Sequence, residues 1–315
     1  MLLTVARQSF CCILVVTVFE FSIRLMRDIV HIGYPRAASS WFQQFFYQNI
    51  QNYTFIQRNT VRKNLIDPLP GFYDSNWNKA LKLGDTPHIV SEEMISGKIR
   101  AGSINLHFLE IYARRLKESF NNPLIVIFLR RQPDIIFSFY NLYIKKGGTY
   151  SFSKFLMQDL SLQESLLFSK TFFCYDLPLQ ILMKTFGKES VKIYLYEEFE
   201  TNPEAFIKRF CNDLKLKVDI NNISSKRINS SYSSFQRKVK QLLNMFTGQG
   251  IPFKHYFLNL PFVYDLLQKG NRKQSKIPGS IFKQIDNFYP EFARSNNRLI
   301  KDYNLSDIKK YNYPL

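Results

Sequence analysis

Two short segments carry residue types suited to holding an anion. In "HIGYPRAASSWFQQFF" (31–46) an apolar run leads into a turn with Arg36, Ser39 and Ser40, and then into a helical pattern. Strand, turn and helix start in that order aim several backbone N–H groups and the positive end of a helix at one point. A nucleotide-binding Walker A loop reads GxxxxGK[ST]. Aligned on Gly33, this chain has Ala38 at the second glycine, Ser39 at the lysine and Ser40 at the hydroxyl, while the cation stands earlier, at Arg36. ATP chemistry needs that lysine on the phosphates and an Asp for Mg²⁺; no apolar run here ends in such an Asp. A hydroxyl-bearing turn with a displaced cation suits an anion held without metal. The competing reading is an ordinary turn between strand and helix.

The second segment is "FLRRQPDIIFSFY" (128–140). Arg130 and Arg131 end an apolar run, and Ser138 lies eight residues beyond Arg130 in a helical pattern. Arginines at the C-terminal edge of a parallel sheet stand where ligands bind in open α/β folds, and their forked donors match phosphate oxygens. A strand-end arginine in a surface ion pair is the plainer alternative. A third segment, "PHIVSEE" (87–93), ends a short apolar run in Glu92 and Glu93. A carboxylate there is placed for general-base work, and Glu93 is the candidate. His88, at the start of the same run, is the second choice. His31 lies within an apolar run and reads as a packed core histidine.

These residues need a frame. Strand-like runs at 28–34, 87–93, 123–131 and 191–199 alternate with helical patterns at 39–50, 104–120, 133–148 and 202–214. Pro133 and Pro203 suit helix first turns, Asn202 suits an N-cap, and Gly147 a helix stop. Alternation of this kind predicts βαβ units, and runs apolar throughout suit strands covered on both faces. The expected fold is α/β: a P-loop NTPase-like three-layer architecture, a central parallel sheet flanked by helices, with a mostly helical C-terminal third. That third contains 231–246 and 279–303 as long helical segments, with a loop around 248–262.

With 45% hydrophobic residues, the chain is globular rather than disordered. Its 43 Lys+Arg against 25 Asp+Glu give a formal charge of +18, which favours anionic partners. The basic residues are spread along the chain and many aromatics fall at core spacing, so nucleic acid is not expected as the partner. Cys11, Cys12, Cys174 and Cys211 form no CxxC pair and lie near no histidine at ligand spacing; buried reduced thiols and no metal are expected. Residues 1–26 form an N-terminal apolar segment. "FCCILVVTVFEF" (10–21) is shorter than the ~20 residues of a membrane span, and the chain is expected to be cytoplasmic with its domain at 27–315. The alternatives are a signal or membrane anchor through residues 10–25, or a true start at Met26 that leaves residues 1–25 untranslated.

Taken together the segments resemble the sulfotransferase family, specifically carbohydrate sulfotransferases of bacterial type. "HIGYPRAASSWFQQFF" resembles the family's 5′-phosphosulfate loop, Pro-Lys-Ser-Gly-Thr-Thr-Trp-Leu. "LRRQPDIIFSFY" resembles its 3′-phosphate motif, with arginine and serine eight apart. "VSEEMISG" is similar to its Ser-x-Glu strand end, and "INSSYSS" and "FARSNNRLIKDYNLSDIKKYNYP" are similar to its C-terminal part. The resemblance runs from about Asp28 to Pro314.

The resemblance implies metal-free sulfuryl transfer from 3′-phosphoadenosine 5′-phosphosulfate (PAPS) to a hydroxyl or amine, with a glycan or glycolipid as the expected acceptor. It places the backbone of Ala37, Ala38, Ser39, Ser40 and Trp41, with both serine hydroxyls, around the 5′-phosphosulfate. Arg130 and Ser138 fall at the 3′-phosphate, and Lys226 and Arg227 close over the nucleotide. Arg36 stands where the family has lysine and takes the charge of the bridging oxygen as a bulkier fork. Two departures, Arg36 and Ala38, keep a non-catalytic binding protein open as a reading, and a P-loop metabolite kinase is the rival on fold grounds.

Overall fold

The computed structural model describes residues 26–81, 86–97, 106–157, 169–219, 233–246 and 277–315. The expectations on residues 10–25, Cys11, Cys12, Lys226, Arg227 and the 248–262 loop fall outside these residues.

The central strand is β1 (Ile29–Gly33), every residue of which is buried. The chain leaves it through a turn into α1 (Ser39–Trp41), then β2 (Thr54–Ile56), α2 (Arg58–Val61), β3 (His88–Ser91), α3 (His107–Ser119), β4 (Leu124–Leu129) and α4 (Gln132–Lys145). Next come α5 (Asp176–Phe186), β5 (Val191–Leu195), α6 (Tyr196–Thr201), α7 (Pro203–Leu214), α8 (Ser234–Phe246) and α9 (Tyr289–Tyr303). The strands form one parallel sheet in the order β2-β3-β1-β4-β5. His31 pairs with Ser91 and Gly33 with Phe128. The chain moves to one side of β1 for β2 and β3 and to the other for β4 and β5. The crevice of an open α/β sheet opens at such a reversal, beyond the C-terminal ends of the strands.

One face of the sheet is a layer of rings. Phe42 packs on Phe128, Phe199 and Phe210, Phe46 on Phe210, and Phe210 on Phe128 and Tyr194, at centroid separations of 4.9 to 5.8 Å in edge-on and tilted pairs. Each such ring, removed from water, contributes about 1.5–3 kcal/mol. The aromatic wealth of the sequence is thus largely core. On the described residues, no helix is long and apolar enough to cross a membrane.

Several elements differ from expectation. The helix expected over 39–50 is α-helical only at Ser39–Trp41; it widens into a π turn at Phe42–Phe46 and tightens into a 3₁₀ turn at Tyr47–Asn49. The widened turn is where Phe42, Gln43 and Phe46 are all buried. The run at 87–93 stops at Ser91, because Glu92 folds its carboxylate back onto the Met94 N–H (3.0 Å) and starts a 3₁₀ turn, Glu93–Ser96. The run at 191–199 stops at Leu195. Tyr196–Thr201 is helical instead, with Glu197 and Glu198 in the first turn, where acidic groups favour a helix start. β2 and α2 carry no strong period and were not expected. The segment at 279–303 breaks into Gly279–Ile285 and α9, with Pro290 in the first turn of α9. Elsewhere Asn202 caps α7, accepting from Ala205 N–H at 3.1 Å, and Gly147 (φ 99°) follows the end of α4.

Candidate active site

The turn after β1 is tightly wound. Arg36 (φ 73°) and Ala38 (φ 66°) both take left-handed backbone, which costs a non-glycine residue roughly 1–2 kcal/mol. Within the turn the Ala37 N–H donates to Tyr34 O (3.1 Å) and the Trp41 N–H to Ala38 O (2.8 Å). Two of the five N–H groups expected to face an anion are therefore engaged internally. Ala38, Ser39 and Ser40 remain as the first-turn donors, which have no acceptor within a helix. Ser39 also departs from expectation. Its side chain is buried, its hydroxyl faces Tyr34 O at 3.5 Å, and it lies against Gly33, where a Cβ would meet Ser39 Oγ at 2.5 Å. Ser39 pegs the turn to the strand, and Ser40, half-buried, offers the hydroxyl. The Trp41 ring packs on Phe199 (4.9 Å).

Arg36 and Ser138 meet. Arg36 Nε donates to Ser138 Oγ at 2.8 Å, and Ser138 is buried in α4. Arg130 Nη1 donates to Arg36 O at 2.8 Å, so both arginines converge on the turn. Arg130 is held from behind: its guanidinium lies 4.3 Å over the Tyr196 ring, and its carbonyl accepts from the buried Tyr175 hydroxyl. Burial, then the neighbouring Arg130, lowers the pKa of Arg36. Burial, then Arg36, lowers that of Lys145, seven residues along α4 from Ser138. Three cations gathered at this end of the sheet make a strong field for an anion.

Arg131 points elsewhere. Its Nε pairs with Asp134 Oδ2 (2.5 Å) and its N–H donates to Glu197 Oε1 (2.7 Å). Glu197 also accepts from the Tyr313 hydroxyl at 2.9 Å, and Asn296 Nδ2 donates to Pro314 O at 2.7 Å. The C-terminal residues thus brace the end of β4.

The two glutamates after β3 have different surroundings. Glu92 is fully buried and accepts from Arg58 Nε (2.8 Å) and Arg62 Nε (2.7 Å). Burial would raise its pKa, but the arginine hydrogen bonds outweigh that and hold it low. Glu93 stands beside the same cluster, 3.5 Å from Arg58 Nη2, with 17% of its side chain exposed. Burial raises the Glu93 pKa despite Arg58 and Arg36 nearby. Glu92 is a structural anion, whereas Glu93 has the raised pKa and the solvent access that suit a base.

His88 is at the wrong end of the sheet for the second-choice base. Its N–H donates to Asp28 Oδ1 (2.7 Å) at the N-terminal edge, about 16 Å from Glu93 at ~3.3 Å per strand residue. His31 is a core residue, ringed by Phe42, Tyr47 and Phe128, with Nδ1 3.1 Å from Ser91 Oγ. Gln43 donates to Ser91 O (3.1 Å) and Oγ (3.2 Å), tying the loop helix to the strand that carries Glu92 and Glu93. Of the cysteines, Cys211 is buried and Cys174 half-buried.

Tyr196, Lys145, Arg58, Arg62 and Gln43 surround the candidate residues and were not singled out from sequence. Only Lys145 had a legible signal: seven residues after Ser138 is two helical turns along one face.

No protein-family model matches the chain, and no curated protein matches its sequence. Among solved structures it is similar to a sulfotransferase from Alicyclobacillus acidocaldarius, at 17% identity and a TM-score of 0.48 over 68% of this chain and 89% of that one. It is also similar to mouse sulfotransferase SULT7A1 complexed with PAP (13%, TM-score 0.46, 88% and 89%) and to the sulfotransferase domain from the curacin biosynthetic pathway (11%, TM-score 0.42, 84% and 98%).

Proposed function

We propose that residues 27–315 form a PAPS-dependent sulfotransferase acting on a hydroxyl of a carbohydrate or glycolipid. The observation that carries this is the meeting of the two sequence motifs at one point: Arg36 bonded to Ser138, with Arg130 bonded to the Arg36 carbonyl, beyond the C-terminal ends of β1 and β4. A nucleotide with anions at both its 3′ and 5′ positions gives that pair of motifs a common ligand. In this reading the N–H groups of Ala38, Ser39 and Ser40 and the Ser40 hydroxyl hold the 5′-phosphosulfate. Arg130 and Ser138 hold the 3′-phosphate, and Arg36, with Lys145 near it, lies between.

Glu93 takes the proton of the acceptor hydroxyl. The acceptor oxygen bonds to sulfur as the bond from sulfur to the bridging oxygen breaks, and adenosine 3′,5′-bisphosphate (PAP) leaves. Arg36 stabilises the charge growing on that bridging oxygen. A kinase is disfavoured because Ser39, where it needs lysine, is turned into the fold.

Calorimetric titration with PAP in the presence of EDTA tests the reading, with Arg130→Ala beside the native protein. Metal-free binding that the variant loses supports it. Absence of PAP binding, with ATP bound in the presence of Mg²⁺, overturns it in favour of the kinase.

A further inference from the structure

Arg58 and Arg62 lie one turn apart at the start of the segment that follows β2. Each turns one edge of its guanidinium, Nε and Nη2, onto the buried Glu92 carboxylate: 2.8 and 3.4 Å from Arg58, 2.7 and 3.1 Å from Arg62. Two cations thus share one fully buried anion. Their side chains remain 33% and 34% exposed, and neither Nη1 group has a hydrogen-bond partner among the described residues. A paired guanidinium normally swings on a flexible stem. Here a buried carboxylate locks two of them side by side, with the partly exposed Arg58 next to Glu93. Interior ion pairs exist at a desolvation cost, and one arginine would already balance Glu92. The second goes beyond what Glu92 needs: Arg58 Nη2 also lies 3.5 Å from Glu93 Oε2, which sets the pair of guanidinium groups beside the candidate base.

Resting on the sulfotransferase reading, we propose that Arg58 and Arg62 form an acceptor subsite for an anionic group, so that the acceptor is an acidic saccharide rather than a neutral one. The acceptor's carboxylate or sulfate ester would lie on the Nη1 donors while the hydroxyl one or two bonds away meets Glu93. Planar guanidinium donors fit both oxyanions.

The test uses three acceptors of matched length: a uronic-acid oligosaccharide, its carboxyl-reduced counterpart, and the carboxyl-reduced chain carrying a sulfate ester. Sulfuryl transfer from PAPS is measured for each, with PAP binding followed separately by calorimetry. The expected result is a kcat/KM at least tenfold higher on an anionic acceptor than on the neutral one. The preferred anion separates carboxylate from sulfate. In Arg58→Gln, where Arg62 still holds Glu92, that ratio collapses toward one while PAP still binds, showing that fold and nucleotide site persist. Equal transfer to all three, preference for the neutral chain, or transfer to none while PAP binds overturns the subsite and leaves the sulfotransferase reading standing. Failure to bind PAP overturns the reading itself.

Discussion

Arg36 and Ser138 are separated by 102 residues of sequence and joined by a 2.8 Å hydrogen bond. That bond links the turn after β1 to the helix after β4, so the two motif segments are physically joined. Arg36→Ala removes the cation nearest the proposed bridging oxygen and is expected to lower kcat by about 10²–10³, the range for a preorganised transition-state donor. Ser138→Ala is expected to weaken PAP binding by about 1.5–3 kcal/mol, as for one hydrogen bond to a charged group, with kcat less affected. Pre-steady-state transfer and calorimetry separate the two. Equal losses of kcat and affinity in both variants would contradict the division of roles.

Glu93 governs the expected pH profile. Its pKa is raised, chiefly by burial. As a base it works deprotonated, so kcat/KM rises with pH through a limb above the ordinary carboxylate range, and Glu93→Gln loses that limb with most of the activity. The stability effect has the opposite sign. A carboxyl raised in the folded state favours folding while protonated, and that advantage is lost as pH rises through the folded pKa. Glu93→Gln is therefore expected to melt higher than the native protein at pH 8 and no higher at pH 4. Thermal melts at both values check this.

His31 sets an acid limit. Buried among rings, its pKa is lowered by desolvation to about 3. The unfolded chain binds a proton near pH 6.5, which the folded chain refuses. Stability from this residue is complete above that value and falls as pH drops from 6.5 toward 3, at up to about 1.4 kcal/mol per pH unit. Denaturant melts of the native protein and His31→Phe should differ in slope over pH 4–6 if His31 is the cause, the variant losing less stability per pH unit; parallel slopes would exclude it.

What the sequence discloses follows the strength of its local signals. β1, β4 and α7 are long or sharply bounded, by Pro123, Pro133, Asn202 and Pro203, and lie within two residues of expectation. β2 is three residues on a sheet edge, too short for any period. β5 was read too far because Tyr196 and Phe199 look like strand residues, whereas burial against Arg130 and Trp41 makes them helix anchors. At the site, Arg36, Arg130 and Ser138 were legible as motif members. Arg58 and Arg62 were not, since their role depends on Glu92, some thirty residues on, being folded inward between them.

The turn itself carries the last prediction, in which two substitutions of one methyl group act in opposite directions. Ala38 holds left-handed backbone at φ 66°. Ala38→Gly removes that penalty and is expected to stabilise the protein by up to about 1 kcal/mol, after the entropy glycine gains in the unfolded chain. It leaves the N–H groups of the turn in place, so PAP affinity holds or improves. Gly33 is the converse. A Cβ there meets Ser39 Oγ at 2.5 Å and its Cβ at 3.0 Å, and Ser39 is already packed on the strand end. Gly33→Ala must push Ser39 and the first turn of α1 outward, at about 1–3 kcal/mol for an overpacked site, and it displaces the N–H groups proposed to hold the 5′-phosphosulfate. Gly33→Ala should therefore lower the melting temperature and PAP affinity together, and Gly33→Ala/Ser39→Ala, which vacates the hydroxyl, should regain both. If the double variant recovers stability but not affinity, the Ser39 hydroxyl binds the nucleotide after all, and its role as a peg is wrong.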